Sequence, residues 1–320
     1  MKLSHSRAAL LMVLVTLMWS IAGVVTRHLE SARSFEVSFW RSSFNVLALL
    51  LLLAVLRGGL GPLWREVRRG GWPLWASGLC WMVMFTNFMV AIMLTTVATV
   101  LITMAVAPLL TALFSRLFLR HALPVRTWLA IAVAGAGIGW MFGQQALASH
   151  ASQTAAGAGL TGALVALGVP LASASNWTLL QHLQQRHAAN AVHGAREADM
   201  LPAVLIGALL SALATLPMSL PFQATAHDLG LLALLGVVQL AIPCLLAVQV
   251  ARVLPAPDVS LIALLEVIFG VLLTWVGAGE APAPSALGGG ALVVGALLVN
   301  EWLGLRERAA ALPLSAAGRG

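Results

Sequence analysis

Residues 256–303 read APDVSLIALLEVIFGVLLTWVGAGEAPAPSALGGGALVVGALLVNEWL. Two long apolar runs are joined by a short polar turn, and Glu266 sits in the middle of the first. The same plan occurs about 158 residues earlier, at 98–142, as ATVLITMAVAPLLTALFSRLFLRHALPVRTWLAIAVAGAGIGWMF. Ala107 then falls opposite Glu266, Pro108 opposite Val267, and His121 opposite Glu280. The glycine-rich run at 135–139 falls near Gly288 to Gly295. A repeat at that period is one structural half used twice.

The rest of the chain has the same character. It is 60% hydrophobic and 9% charged over 320 residues, with a mean hydropathy of +0.94. A soluble domain carries roughly 25% charge, so the composition is that of a polytopic membrane protein. The net charge of +7 comes from arginines in short loops between apolar runs. That placement belongs to membrane topology, not to nucleic-acid binding. Cys80 and Cys244 lie inside apolar segments and form no CxxC pair. Neither a disulfide framework nor a zinc site is expected. The apolar run after Lys2 and Arg7 is long for a cleaved signal and holds Trp19 where small residues would be needed. It reads as a retained signal anchor.

A span needs about 20 apolar residues. The pattern predicts ten transmembrane helices: 8–26, 35–56, 72–92, 98–118, 125–142, 158–180, 200–218, 229–250, 256–276 and 286–302. The segment 181–199 is expected to be a polar, His-rich loop, and residues 306–320 a short disordered cytoplasmic tail. With both termini cytoplasmic, fifteen Lys/Arg fall inside and two, Arg27 and Arg33, outside, while Arg41 lies within a span. This split follows the rule that cytoplasmic loops carry the positive charge. Five spans per half is an odd number. Residues 1–150 and 151–305 are therefore expected to be inverted repeats, the plan of transporters that bind substrate near the midplane.

At this point the chain resembles a known family, the EamA family of the drug/metabolite transporter superfamily. The resemblance rests on Trp19, Ser20 and Arg27 in the first helix and on Trp40–Arg41 in the second. It extends to Pro108 in the fourth, to Leu265–Glu266 in the ninth with Val267 where the family has Pro, and to Glu280 and Gly288 after it. His121 replaces that Glu in the first half. The resemblance implies a doubled five-helix transporter. It names no substrate, because the family spans amino acids, other metabolites and drugs.

The residues offer candidates of their own. Glu266 is the acid deep in a span, ten residues or roughly 15 Å from its inner end, which is midplane. A carboxylate there must be paired, wet or protonated. It reads as a proton-coupling or cation-contact group, or as a structural acid bonded to a neighbouring helix. Arg41 lies roughly 9 Å from the outer end of its span. It could bind a substrate carboxylate, pair with Glu266, or snorkel to headgroups. Trp19 and Trp177 are equivalent in the repeat. With Asn45, Asn87, Asn176 and Gln239 they are candidates to line a central cavity, the alternative being interhelical hydrogen bonds. Pro108 and Pro243 are candidate gating bends or static kinks. Gly135 and Gly139, echoed by Ala291 and Gly295, are expected to pack helices within the monomer. His182, His187 and His193 form no metal motif, and no enzyme motif is present.

The expected function is a secondary transporter of a small organic metabolite such as an amino acid. It is expected to act as an exporter across the plasma membrane, the bacterial inner membrane, by proton antiport through Glu266. Its partners would be substrate, bilayer and protons, with no cofactor and no nucleic acid, and it would work as a monomer. An uncoupled facilitator on the same fold and an integral-membrane enzyme are the alternatives. The cavity is expected between the halves, lined by the first four spans of each, with the fifth and tenth at the periphery.

Overall fold

The computed structural model describes residues 5–119, 124–151, 156–190, 200–254, 259 and 262–316. Everything regular among them is helical. The first half holds α1 (His5–Thr26), α2 (Ser34–Arg57), α3 (Leu60–Arg69), α4 (Gly71–Leu94), α5 (Val97–Met104), α6 (Ala107–Leu119) and α7 (Val125–Ala151). The second holds α8 (Ala156–Ala166), α9 (Gly168–Asn190), α10 (Leu201–Ser219), α11 (Ala226–Leu234), a π-helical segment (Leu235–Ala241), α12 (Ile242–Val250), α13 (Leu265–Ala278) and α14 (Pro284–Ala316). Eight helical stretches are long and apolar enough to cross a bilayer, and shorter apolar helices cover Val125–Met141 and Leu265–Ala278. Each of the ten segments read from the sequence overlaps one of these.

Local chemistry explains the breaks. Three half-helices restart with a proline in their first turn: Pro108 in α6, Pro170 in α9 and Pro243 in α12. Proline is tolerated there because its missing N–H has no intrahelical partner at a helix start. Ala107 opens α6 and Leu265 opens α13, so the helix restarts at points 158 residues apart. Thr96 caps α5 by accepting the Thr99 N–H, and Thr225 and Asp228 form a reciprocal capping box on α11.

Four features differ from the sequence reading. Residues 58–71, expected as a loop, contain α3. The helix α9 continues to Asn190 because QHLQQRHAAN holds good helix formers and no Gly or Pro; residues 191–199, with His193, lie outside the described residues, as does His121. The last helix runs on to Ala316 through the Ala- and Leu-rich tail, where disorder was expected. The fourth concerns the packing glycines. The α7 and α14 helices pack on each other through Gly137 and Gly289. A Cβ on Gly137 would meet the Gly289 carbonyl at 2.8 Å, and one on Gly289 would meet Gly137's at 2.7 Å. Gly135, Gly139 and Gly295 have nothing within 4 Å of such an atom. The contact therefore sits on the helix face opposite the two glycines of the GxxxG pattern.

The two halves interlock. The helix α10 fits against α2 and α4, and α1 packs on α13 and α12. At one end, two buried carboxylates stitch loops across the halves. Asp228 accepts the N–H groups of Glu30, Ser31 and Ala32 at 2.7–3.1 Å. Glu36 accepts those of Gln223 and Ala224, both at 2.8 Å. Each supplies orphan loop donors with charge-assisted acceptors.

Candidate functional site

Several of the helix breaks and of the deep polar residues meet at one cavity. It has roughly 110 Å³ open to the centres of water molecules, room for several waters by the size of one. Its walls come from α1, α2, α4, α5 and α6 of the first half and from α9, the π-helical segment, α12 and residues 263–267 of the second. The α7 and α14 helices contribute nothing to it. Neither does α10, although the seventh span was expected to. That helix lies behind α2 and α4 and turns Ser211 to them, its hydroxyl meeting those of Ser42 and Thr86 at 2.9 Å each.

Arg41 is held on this wall at 1% exposure. Its Nη2 donates to the Phe85 carbonyl at 2.7 Å and Nη1 to Gln239 Oε1 at 3.4 Å, while Nε has no partner. Its guanidinium lies 5.8 Å from the Phe88 ring centroid. Gln239 reaches it because the π-helical segment presses on α2. At Gly236 a Cβ would meet the Arg41 carbonyl at 2.7 Å and the Asn45 N–H at 2.9 Å, so only glycine lets the two backbones come this close. The Gln239 amide also donates to the Trp19 carbonyl at 3.3 Å, joining α1, α2 and the π-helical segment. Single-turn π segments of this kind are frequent at functional sites.

Glu266 is the second residue of α13, facing the cavity at 7% exposure. Its carboxylate makes no hydrogen bond or ion pair with the described residues; only its backbone carbonyl is engaged, by Ser20 Oγ at 3.4 Å. Arg41 and Glu266 therefore share the cavity without touching. The first turns of α6 and α13 both reach this cavity, and helix N-termini favour negative charge.

The remaining walls are aromatic. Trp81 packs edge-on against Trp177 at 6.0 Å and beside Phe85 at 5.4 Å. Trp81, Phe85 and Phe88 recur at i, i+4 and i+7 and so share one face of α4. Phe85, Phe88 and Pro170 escaped the sequence reading. That spacing, and the proline just after Gly168, were the signals available.

Of the sequence candidates, Glu266, Arg41, Trp19, Trp177, Gln239 and Pro108 come together here. Asn45, Asn87, Asn176 and Pro243 do not line the cavity. Asn176 accepts from Ser77 Oγ at 2.6 Å and Asn87 donates to the Val165 carbonyl at 3.2 Å, both interhelical bonds. Pro243 is buried in the first turn of α12, and nothing in the structure explains Asn45, whose buried amide has no bonded partner. No cluster of three or more His, Cys, Asp or Glu able to hold a metal occurs among the described residues.

Comparison with known proteins agrees with this architecture. The profile of the EamA-like transporter family matches residues 6–143, from α1 into α7. Trp19, Arg27, Trp40, Arg41 and Pro108 lie within that match; Glu266 and Glu280 lie beyond it. No curated protein matches the chain. A solved structure described only as "Crystal structure of protein" superposes with a TM-score of 0.63 at 19% identity, covering 95% of this chain and 99% of the other. At that identity the likeness carries the fold alone. Residues 6–143 are thus similar to the EamA-like transporter family, and eight helical stretches among the described residues are long and apolar enough to cross a membrane.

Proposed function

We propose that the protein is a ten-span secondary transporter with inverted halves and both termini cytoplasmic. It moves a small zwitterionic metabolite such as an amino acid outward across the plasma membrane, in exchange for protons. The observation that carries the reading is a free carboxylate and an incompletely bonded guanidinium on one cavity wall, not paired to each other. A substrate ammonium would meet Glu266 and a substrate carboxylate Arg41. Each buried charge would then gain the partner it lacks, which is where such charges repay their desolvation. The aromatic walls suit an apolar substrate body. Outward direction follows the family resemblance, not a residue.

In the exchange step Glu266 carries the proton when the cavity is empty. An arriving ammonium favours the carboxylate and expels that proton; a returning proton releases the substrate. The test is flux in proteoliposomes under an imposed pH gradient. We expect the gradient to drive uptake of an amino acid against its own gradient, and Glu266→Gln to abolish that drive while leaving the protein folded. Downhill flux indifferent to pH in the native protein would instead make it an uncoupled facilitator.

A further inference from the structure

Two spans, α2 and α4, are joined by far more chain than their connection needs. Antiparallel neighbours are usually linked by 2–8 residues. Here the connection spends its length on α3, ten residues reading LGPLWREVRR. At 1.5 Å per residue α3 is roughly 15 Å long, half a hydrocarbon core, so it cannot span. Glycines in left-handed conformations bracket it, Gly58 at φ 70° and Gly71 at φ 62°, and turn the chain sharply at both ends.

The faces of α3 are sorted. Leu63 and Val67, one turn apart, are buried at 4% and 8% in a helix that packs on α2, α4 and α10. Its acid, Glu66, pairs with Arg57 of α2 at 3.1 Å. That leaves Arg65, Arg68 and Arg69 exposed on α3. Leu60 and Trp64 are exposed at 61% and 56%, and the Arg68 guanidinium lies 5.0 Å from the Trp64 ring. Trp72 and Trp75, at the start of α4, are also exposed, at 70% and 51%. Large exposed indoles beside a row of cations are poorly suited to water alone. They suit the headgroup zone, where indoles settle at the interface and arginines meet phosphates.

We propose that α3 is an in-plane anchor that binds anionic phospholipid headgroups through Arg65, Arg68 and Arg69, with Leu60, Trp64 and Trp72 seated among the upper acyl chains. The rim of the bilayer is the occupant because charge and apolar surface lie side by side on one short helix, and only a headgroup joined to its chains satisfies both. Each basic residue near an anionic surface strengthens binding about fivefold. The site is independent of the cavity, so it stands or falls apart from the transport reading.

The experiment is native mass spectrometry of the intact protein, titrated with phosphatidylglycerol and with phosphatidylcholine. The native protein should retain phosphatidylglycerol more tightly, by roughly a hundredfold if all three arginines act. The triple variant Arg65→Gln/Arg68→Gln/Arg69→Gln should lose most of that preference while melting normally in phosphatidylcholine. A control, Arg7→Gln/Arg116→Gln/Arg306→Gln, removes equal charge outside α3 and should keep it. Soluble glycerol phosphate at equal concentration should not displace the lipid. The proposal is overturned if the native protein shows no preference, if the control loses as much as the α3 variant, or if glycerol phosphate displaces the lipid.

Discussion

Arg27, at the end of α1, and Glu280, just beyond α13, form an ion pair between residues 253 apart in sequence. The pair is the centre of a wider knot. Arg27 also donates to the carbonyls of Ile92 at 3.0 Å and Thr95 at 2.9 Å, at the end of α4. Glu280 also accepts the Val97 N–H, which opens α5, at 2.8 Å. One salt bridge thus ties four helix ends at the face opposite α3. Elsewhere a neutral bond joins two helix ends: Gln184 of α9 donates to the Ala251 carbonyl after α12. With side chains 25% and 19% exposed, the Arg27–Glu280 pair is worth more than a surface bridge and less than a fully dry one.

Glu280→Gln should therefore lower stability by about 2 kcal/mol, mostly because Arg27 is left without its counter-charge. Arg27→Gln should cost a similar amount through the carbonyls it abandons. The double variant should cost clearly less than the sum of the two. Melting of all four proteins in one detergent gives the coupling. Additive losses would mean that the two side chains do not work as a pair.

Glycine placement gives a second expectation. Gly289→Leu and Gly137→Leu should each destabilise by about 1–3 kcal/mol, because the facing carbonyl already lies at contact distance. Gly135→Leu and Gly139→Leu face open space and should change the melting temperature little. Equal losses at all four positions would place the α7–α14 contact elsewhere.

Topology is tested by labelling. In a variant with Cys80 and Cys244 replaced by Ser, Ser31→Cys lies in the α1–α2 connection and Arg68→Cys on α3, both exposed and at opposite ends. A membrane-impermeant thiol reagent added to intact cells should modify the first and spare the second. The reverse pattern would invert the proposed orientation.

Much of this arrangement could be read from residue order, for a physical reason. In a chain this apolar, a polar or charged side chain inside a span is the outlier, and outliers are what a cavity needs. Glu266, Arg41, Gln239 and Trp19 stood out on that ground, and the 158-residue echo set Ala107 opposite Glu266, next to the points where α6 and α13 begin. What stayed hidden was apolar or depended on helix phase. Phe85 and Phe88 do not stand out in an apolar span. Whether Gly135 or Gly137 meets the partner depends on helix rotation, which one helix alone does not set. The α3 helix was masked by its Gly and Pro content, although Leu63, Val67 and their intervening charges carry its period. Asn87 and Asn176 look like cavity residues in sequence, yet each finds a helix neighbour first.

The last expectation concerns the separation of Arg41 from Glu266. If Arg41 neutralised Glu266 permanently, removing the acid would strand a buried guanidinium and cost several kcal/mol, and Arg41→Gln would restore much of that. The geometry argues otherwise. Arg41 is held by the Phe85 carbonyl and Gln239, and the Glu266 carboxylate is bonded to neither. Glu266→Gln should therefore change stability by under about 1 kcal/mol. Arg41→Gln should cost about 2 kcal/mol, since it leaves a buried carbonyl unserved. The double variant should match the sum within roughly 0.5 kcal/mol, as for residues that share no contact. Substrate should change that result. If one zwitterion bridges the two groups, ligand-induced stabilisation should fall steeply in either single variant and fall little further in the double, because the second bridge end is already lost. The measurement is melting of the four proteins with and without a saturating amino acid that raises the native melting temperature. Rescue of a destabilised Glu266→Gln protein by Arg41→Gln, without ligand, would return Glu266 to a structural role.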